Sequence, residues 1–182
     1  MPSESPPLWD GPPSEARNVG APSVDEPSDE RRYAIDIQVD PRYADRVPVA
    51  ALVEVAERVL ARAAQPAGTT LALVVTDDET IRSLNRAYRK VDSATDVLSF
   101  AATEGEGFVT PDDAPPYLGD VIIAFPTAQA QAEAEGKRVE DALRLLVVHG
   151  CLHLLGYDHA TPEEEATMWA LQAEILAAPG KE

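Results

Sequence analysis

All three histidines of this chain fall within eleven residues, His149-Gly150-Cys151-Leu152-His153-Leu154-Leu155-Gly156-Tyr157-Asp158-His159, at the spacing H-x3-H-x5-H. The run from Val139 to Leu155 reads as a helix, with Ala142, Leu145, Leu146, Val148, Leu152 and Leu155 on overlapping apolar faces. Residues four apart stack on one helical face, so His149 and His153 can present two imidazoles to one point. Gly156 then ends the helix, since the residue just past a helix end commonly turns left-handed and glycine does so without a Cβ clash. The chain can fold back there, and His159 can bring a third nitrogen to the same point.

Three neutral imidazoles suit a borderline ion such as zinc, and three protein ligands leave one tetrahedral position for water, the arrangement of a catalytic site. A structural site would be closed by a fourth protein ligand. The single thiol, Cys151, lies about 200° around the helix from His149 and reads instead as a small buried hydrophobe. The competing reading, two core histidines and one capping histidine, fits an isolated histidine far better than it fits three at metal spacing around a helix-stopping glycine.

At 182 residues the chain can hold one domain plus a tail. Its one cysteine excludes an internal disulfide and fits a reducing compartment, and no apolar stretch is long enough to span a bilayer. A soluble, cytoplasmic protein with no membrane partner is expected. The net charge of -17 disfavours simple attraction to a polyanion. Residues 1–30 carry seven acids against Arg17 alone, which still leaves -11 for the remainder. Any contact with nucleic acid must therefore come from a local basic patch.

Residues 1–30 are rich in proline, serine and acids, with Leu8 and Trp9 their only large apolar pair, and read as a disordered tail before a domain at 31–182. Strict alternation from Tyr33 to Asp40 predicts a half-exposed strand. Pro48 opens a helix expected to bury Val49, Leu52, Val53, Ala56, Leu60 and Ala63. Thr70 to Val75 predicts a central strand, in parallel crossover with the first. Thr76 with Glu79 forms a capping-box pattern for a helix to about Arg89. On that helix Arg82, Arg86 and Arg89, with Lys90 beside them, form a basic stripe, the best place for phosphate contact in so acidic a chain.

Strands are expected at Asp96–Ala101 and Asp120–Ala124, separated by an acidic loop at Thr103–Tyr117 that reads as a lid. A helix from Thr127 to Gly136 precedes the histidine helix. The last helix has Thr161 as cap, Pro162 in its first turn and Met168, Trp169, Leu171, Ile175 and Leu176 to dock on the core. The sum is an α+β domain: a small mixed, mostly parallel four-stranded sheet packed with about five helices, the metal site at the end of a central helix.

The histidine segment matches the zinc peptidase pattern H-E-x-x-H-x-x-G-x-x-H at its three histidines and its glycine, but Gly150 replaces the general-base glutamate. Peptidase activity is therefore disfavoured, while metal-assisted hydrolysis of a phosphodiester stays open.

The same eleven residues resemble the signature of the YbeY family, bacterial metal-dependent endoribonucleases of ribosomal RNA maturation. The likeness continues through Leu84-Asn85, Tyr88-Arg89, Thr95-Asp96-Val97-Leu98-Ser99-Phe100 and Leu118-Gly119-Asp120, over roughly residues 33–178. It implies one Zn2+ per chain held by His149, His153 and His159. It also implies cleavage of single-stranded RNA at the 3′ end of small-subunit 16S rRNA, a part in ribosome quality control, and association with the ribosome or its small-subunit proteins. The catalytic arginine of the family carries over to Arg89, whose guanidinium stays charged and grips phosphate with paired hydrogen bonds. The competing role for Arg89 is a salt bridge to Asp92 or Asp96. Asp158, beside the third histidine, is expected to hold a histidine from behind rather than to orient water. The rival functions are a zinc metallopeptidase and a non-hydrolytic ribosome-assembly factor with a structural metal. Oligomeric state, general base and cleavage site are left open.

Overall fold

The computed structural model describes residues 32–104 and 111–179. The expected acidic tail at 1–30, with Leu8 and Trp9, and the middle of the expected lid lie outside the described residues.

Four strands form one sheet in the order β1-β2-β4-β3: β1 (Ala34–Val39), β2 (Thr70–Thr76), β3 (Val97–Ala101) and β4 (Tyr117–Ala124). β1 and β4 flank β2 in parallel, and β3 runs antiparallel on the outer side of β4. The parallel pairing of β1 with β2 follows from the helix between them, because parallel strands need a long crossover. Among the described residues there are five α-helices: α1 (Val49–Arg62), α2 (Asp78–Leu84), α3 (Phe125–Ala134), α4 (Val139–Leu154) and α5 (Pro162–Ala177). The architecture is the expected mixed, mostly parallel sheet with five helices. Among the described residues, no helix is long and apolar enough to cross a membrane.

α4 is the central helix. It packs on β3 and β4 beneath it and against α1, α3 and α5 around it. Leu143, Val147, Cys151 and Leu154 face this packing, together with Val121, Ile123, Leu52 and Met168. Gly150 sets how close α4 comes to the sheet. A Cβ there would lie 2.4 Å from Val121 Cγ1 and 3.2 Å from Ser99 Oγ, so only a glycine lets the helix lie this low.

Several local features depart from the sequence pattern. The expected inward face of α1 is turned by about 40°: Val55 and Val59 are fully buried, while Val49 is 39% exposed. α1 is gripped by α4 and α5 as well as the sheet, and tertiary packing centres its buried arc where periodicity alone does not. The capping box at Thr76 is not formed. Thr76 ends β2, and Asp77 caps α2 by accepting a hydrogen bond from Thr80 N at 2.8 Å. β4 begins at Tyr117 rather than Asp120, because Gly119, at φ +132°, carries the strand through an irregularity in its pairing with β2. α3 starts two residues earlier than Thr127, with Phe125 fully buried.

The close approach at Gly150 is testable. Gly150→Ala should lower unfolding free energy by about 1–3 kcal/mol, the usual cost of overpacking a filled core. Urea denaturation would reveal it as a lower midpoint with unchanged slope, whereas an unaltered midpoint would mean that α4 can lift from the sheet freely.

Candidate metal centre

The site is assembled by the two ends of one turn. Residues 152–157 close α4 with a Schellman arrangement: Tyr157 N donates to Leu152 O at 3.0 Å, Gly156 N donates to His153 O at 3.0 Å, and Gly156 sits at φ +93°. This satisfies the last carbonyls of the helix and turns the chain back towards the face it has just left. α5 then starts with a full capping box between Thr161 and Glu164, as its sequence foretells.

The three histidines converge. His149 and His153 bring their Nε2 atoms to 3.0 Å of each other. The His159 ring lies 5.6 Å from that of His149 and 5.3 Å from that of His153. One ligand nitrogen from each of the three falls within 4.8 Å of the others, the group of metal-binding side chains found among the described residues. Two nitrogens on one zinc, each about 2.0–2.1 Å from it in tetrahedral geometry, lie about 3.3 Å apart, so the spacing fits an ion of that size.

Gln172 on α5 decides which nitrogen of His149 is available. Its Oε1 lies 2.8 Å from His149 Nδ1. A carbonyl oxygen only accepts, so Nδ1 carries the proton and Nε2 keeps its lone pair for a metal. Gln172 is 7% exposed. Apolar periodicity along α5 does not pick it out. The signal was there: a lone amide between Met168 and Ile175, four residues after one buried side chain and three before the next.

Burial is the main reason that His149 and His153 both titrate below the ordinary imidazole value. Hydrogen bonding to Gln172 opposes this at His149, and the neighbouring imidazoles reinforce it at His153. Neutral rings are what a metal needs. Cys151 takes no part, being fully buried on the far side of α4 with its thiol pushed up to about 12 by burial. Asp158 accepts a hydrogen bond from its neighbour, His159 N, at 2.7 Å, and so shapes the backbone of the third histidine.

Arg89 is tethered to β3. Its Nη2 donates to Ser99 O at 2.7 Å, and Ser99 Oγ donates to Gly150 O, next to His149, at 3.2 Å. Two short links thus join Arg89 to the histidine helix. Its guanidinium also lies 5.4 Å from the Phe100 ring centroid and 3.4 Å from Glu104. The ion-pair partner is therefore Glu104, not Asp92 or Asp96.

The basic stripe is divided. Arg82 is spent on Asp92, at 2.9 Å. Arg86 is exposed, and Lys90 Nζ donates to Ala87 O at 3.1 Å. After Leu84 the helix widens into a π turn over Asn85–Arg89, ended by Lys90 at φ +60°. Bonding at i to i+5 takes Arg86 and Arg89 off the line that an α-helix would give. Buried Asn85 holds this turn, donating from Nδ2 to Ser93 O at 3.0 Å.

The place of a peptidase glutamate is physically closed, since the position of Gly150 is filled by Val121 and Ser99 before a side chain could begin.

A family model described as Endoribonuclease YbeY matches residues 38–180. The Endoribonuclease YbeY of Roseiflexus sp. (strain RS-1) is 49% identical over 156 residues, covering 84% of this chain and 96% of the relative. That of Geobacillus kaustophilus is 48% identical over 132 residues, covering 69% and 85%. A protein of Thermotoga maritima solved in solution aligns with a TM-score of 0.54 at 22% identity, over 78% of this chain and 86% of its own, a likeness of fold.

Gln172→Ala should weaken metal binding by about 10–100-fold, the usual cost of removing a partner behind a ligand; competition with a chromophoric chelator measures it. For the metal-free protein the sign of the pH effect is fixed. With folded values of His149 and His153 below the ordinary 6.5, the folded chain binds fewer protons than the unfolded one in that window. Their contribution to stability is complete above pH 6.5 and lost as pH falls through the depressed values. Thermal unfolding at stepped pH should show this decline, and a triple His→Gln variant should lack it.

Proposed function

Since the chain belongs to the YbeY endoribonuclease family, we propose that it is a zinc-dependent endoribonuclease that cuts single-stranded RNA during ribosomal RNA processing. Maturation of the 16S rRNA 3′ end is its specific task in this reading, with ribosome quality control as the wider setting. The observation that carries the proposal is the convergence of His149, His153 and His159, one nitrogen each within 4.8 Å, on a helix linked through Ser99 to an anchored arginine.

The donor set fits zinc: three imidazoles, one with its tautomer set by Gln172, and no thiol turned towards them. When bound, such an ion lowers the pKa of water and polarises a phosphoryl oxygen. The chain's own residues do the rest. His149, His153 and His159 hold the ion, and Asp158 keeps the backbone of the third in place. Arg89 is held through Nη2 by Ser99 O and by Phe100 beneath it, which leaves Nε and Nη1 to bind the phosphate on which charge develops. Its side chain is 43% exposed, so a phosphate can reach it. Arg86 and Lys90 supply weaker phosphate contacts, and Arg82 joins them when Asp92 releases it. The excess of acids outside the tail makes a ribosomal partner part of the proposal, because so negative a chain binds bare RNA poorly.

The peptidase alternative loses its general base to the packing at Gly150. The assembly-factor alternative predicts that His149 variants still support rRNA maturation.

Cleavage of a single-stranded RNA by the metal-loaded chain is the test. A chelator, His149→Ala or His153→Ala should abolish cutting, and Arg89→Ala should lower kcat by about 10²–10³-fold, as for loss of one donor to developing charge. Undiminished cutting by metal-free protein would overturn the reading.

A further inference from the structure

The sequence expects Trp169 to dock on the core, but the structure leaves it 43% exposed at the metal centre. Its ring lies 5.7 Å from that of His149, tilted by 41°, and 5.9 Å from that of His159, tilted by 32°. The indole Nε1 donates to Glu165 Oε1 at 3.1 Å, one turn earlier on α5, which fixes the ring plane. Isolated exposed aromatics are common on protein surfaces and need no explanation. An anchored, half-exposed indole against two of the three proposed metal ligands is different, because it offers a stacking face beside the place where a substrate would be cut.

Charge narrows what the indole can meet. The first turn of α5 carries Glu163, Glu164 and Glu165, which repel a phosphate from that side. A nucleobase carries no charge and offers a flat π face, and stacking on aromatic side chains is how single-stranded RNA is generally held. We propose that Trp169 is the base-stacking residue of the RNA site: it takes the base of a nucleotide next to the scissile phosphate and so aligns that phosphate between the histidines and Arg89. The proposal rests on the endoribonuclease reading for its substrate class. It explains in addition how so acidic a chain grips a single strand, and why unpaired bases are required in this reading, since a paired base cannot turn onto the indole.

The chain has two tryptophans, Trp9 and Trp169, so Trp9→Phe makes Trp169 the sole indole reporter. Metal-loaded Trp9→Phe protein is mixed in stopped flow with a fluorescein-labelled single-stranded oligoribonucleotide, and with the same strand carrying abasic sites. Binding is followed by anisotropy and stacking by indole emission. The intact strand should quench the indole during the binding phase and the abasic strand should not. In steady-state cleavage, Trp169→Ala should raise KM by about 10–100-fold, the range associated with one base–aromatic stack, with kcat and bound metal little changed. Trp169→Phe should recover most of that loss. Binding without quenching, equal quenching by the abasic strand, an unchanged KM, or loss of metal from Trp169→Ala would each overturn the proposal, the last by making the indole a support for the histidines. Binding and quenching without cleavage would instead refute the endoribonuclease reading while leaving the stack intact. No binding of either strand would refute both.

Discussion

The contact at Gly150 carries the whole arrangement. α4 lies so low on β3 and β4 that the space for a Cβ at this position is already taken by Val121, and this depth has consequences in three directions. It buries the flank of α4 that bears Leu143, Val147, Cys151 and Leu154. It leaves His149, one residue earlier, on a flank open enough to receive an ion. It also lets Ser99, whose hydroxyl reaches Gly150 O, serve as the bridge between that flank and Arg89. A side chain at this position would lift the helix and separate the histidines from the arginine. The same residue distinguishes this site from a zinc peptidase, where a carboxylate stands in its place.

The second dependence is between α4 and α5. The Schellman turn at Gly156 sends the chain back so that His159 meets the other two rings, and the helix that follows returns Gln172 to the first of them. Each of these steps satisfies backbone or side-chain hydrogen bonds that would otherwise be lost in a partly buried place. The site is therefore built from groups whose own stability demands the geometry that a metal needs. On the far side, the π turn and Asn85 perform the same service for Arg89, turning it off the helix and onto the edge of β3.

What could be read in the sequence is what is local. The i, i+4 histidine pair, the stopping glycine and the Thr161 capping box are decided within a few residues, and the structure has each of them. The mixed sheet was also legible, because the alternation in β1 and the continuous apolar run of β2 reflect an edge and a centre. Features decided by distant packing were not. The buried arc of α1 depends on α4 and α5, the early start of β4 on a glycine that carries an irregularity in the pairing, and the fate of the basic stripe on a π turn that no periodicity announces. Gln172 and Trp169 belong to this second group. Trp169 reads as part of the apolar stripe of α5 and Gln172 falls outside that stripe, yet the first lies beside the histidines and the second beneath them.

The central claim is that one divalent ion is held by three imidazoles with a position left open. X-ray absorption at the zinc edge of the metal-loaded chain tests it most directly. One equivalent of zinc per chain, with three histidine nitrogens and an exchangeable oxygen in the first shell, is the predicted result. A sulfur donor, a fourth protein ligand, or less than one ion bound when His149, His153 and His159 are all present would contradict the account.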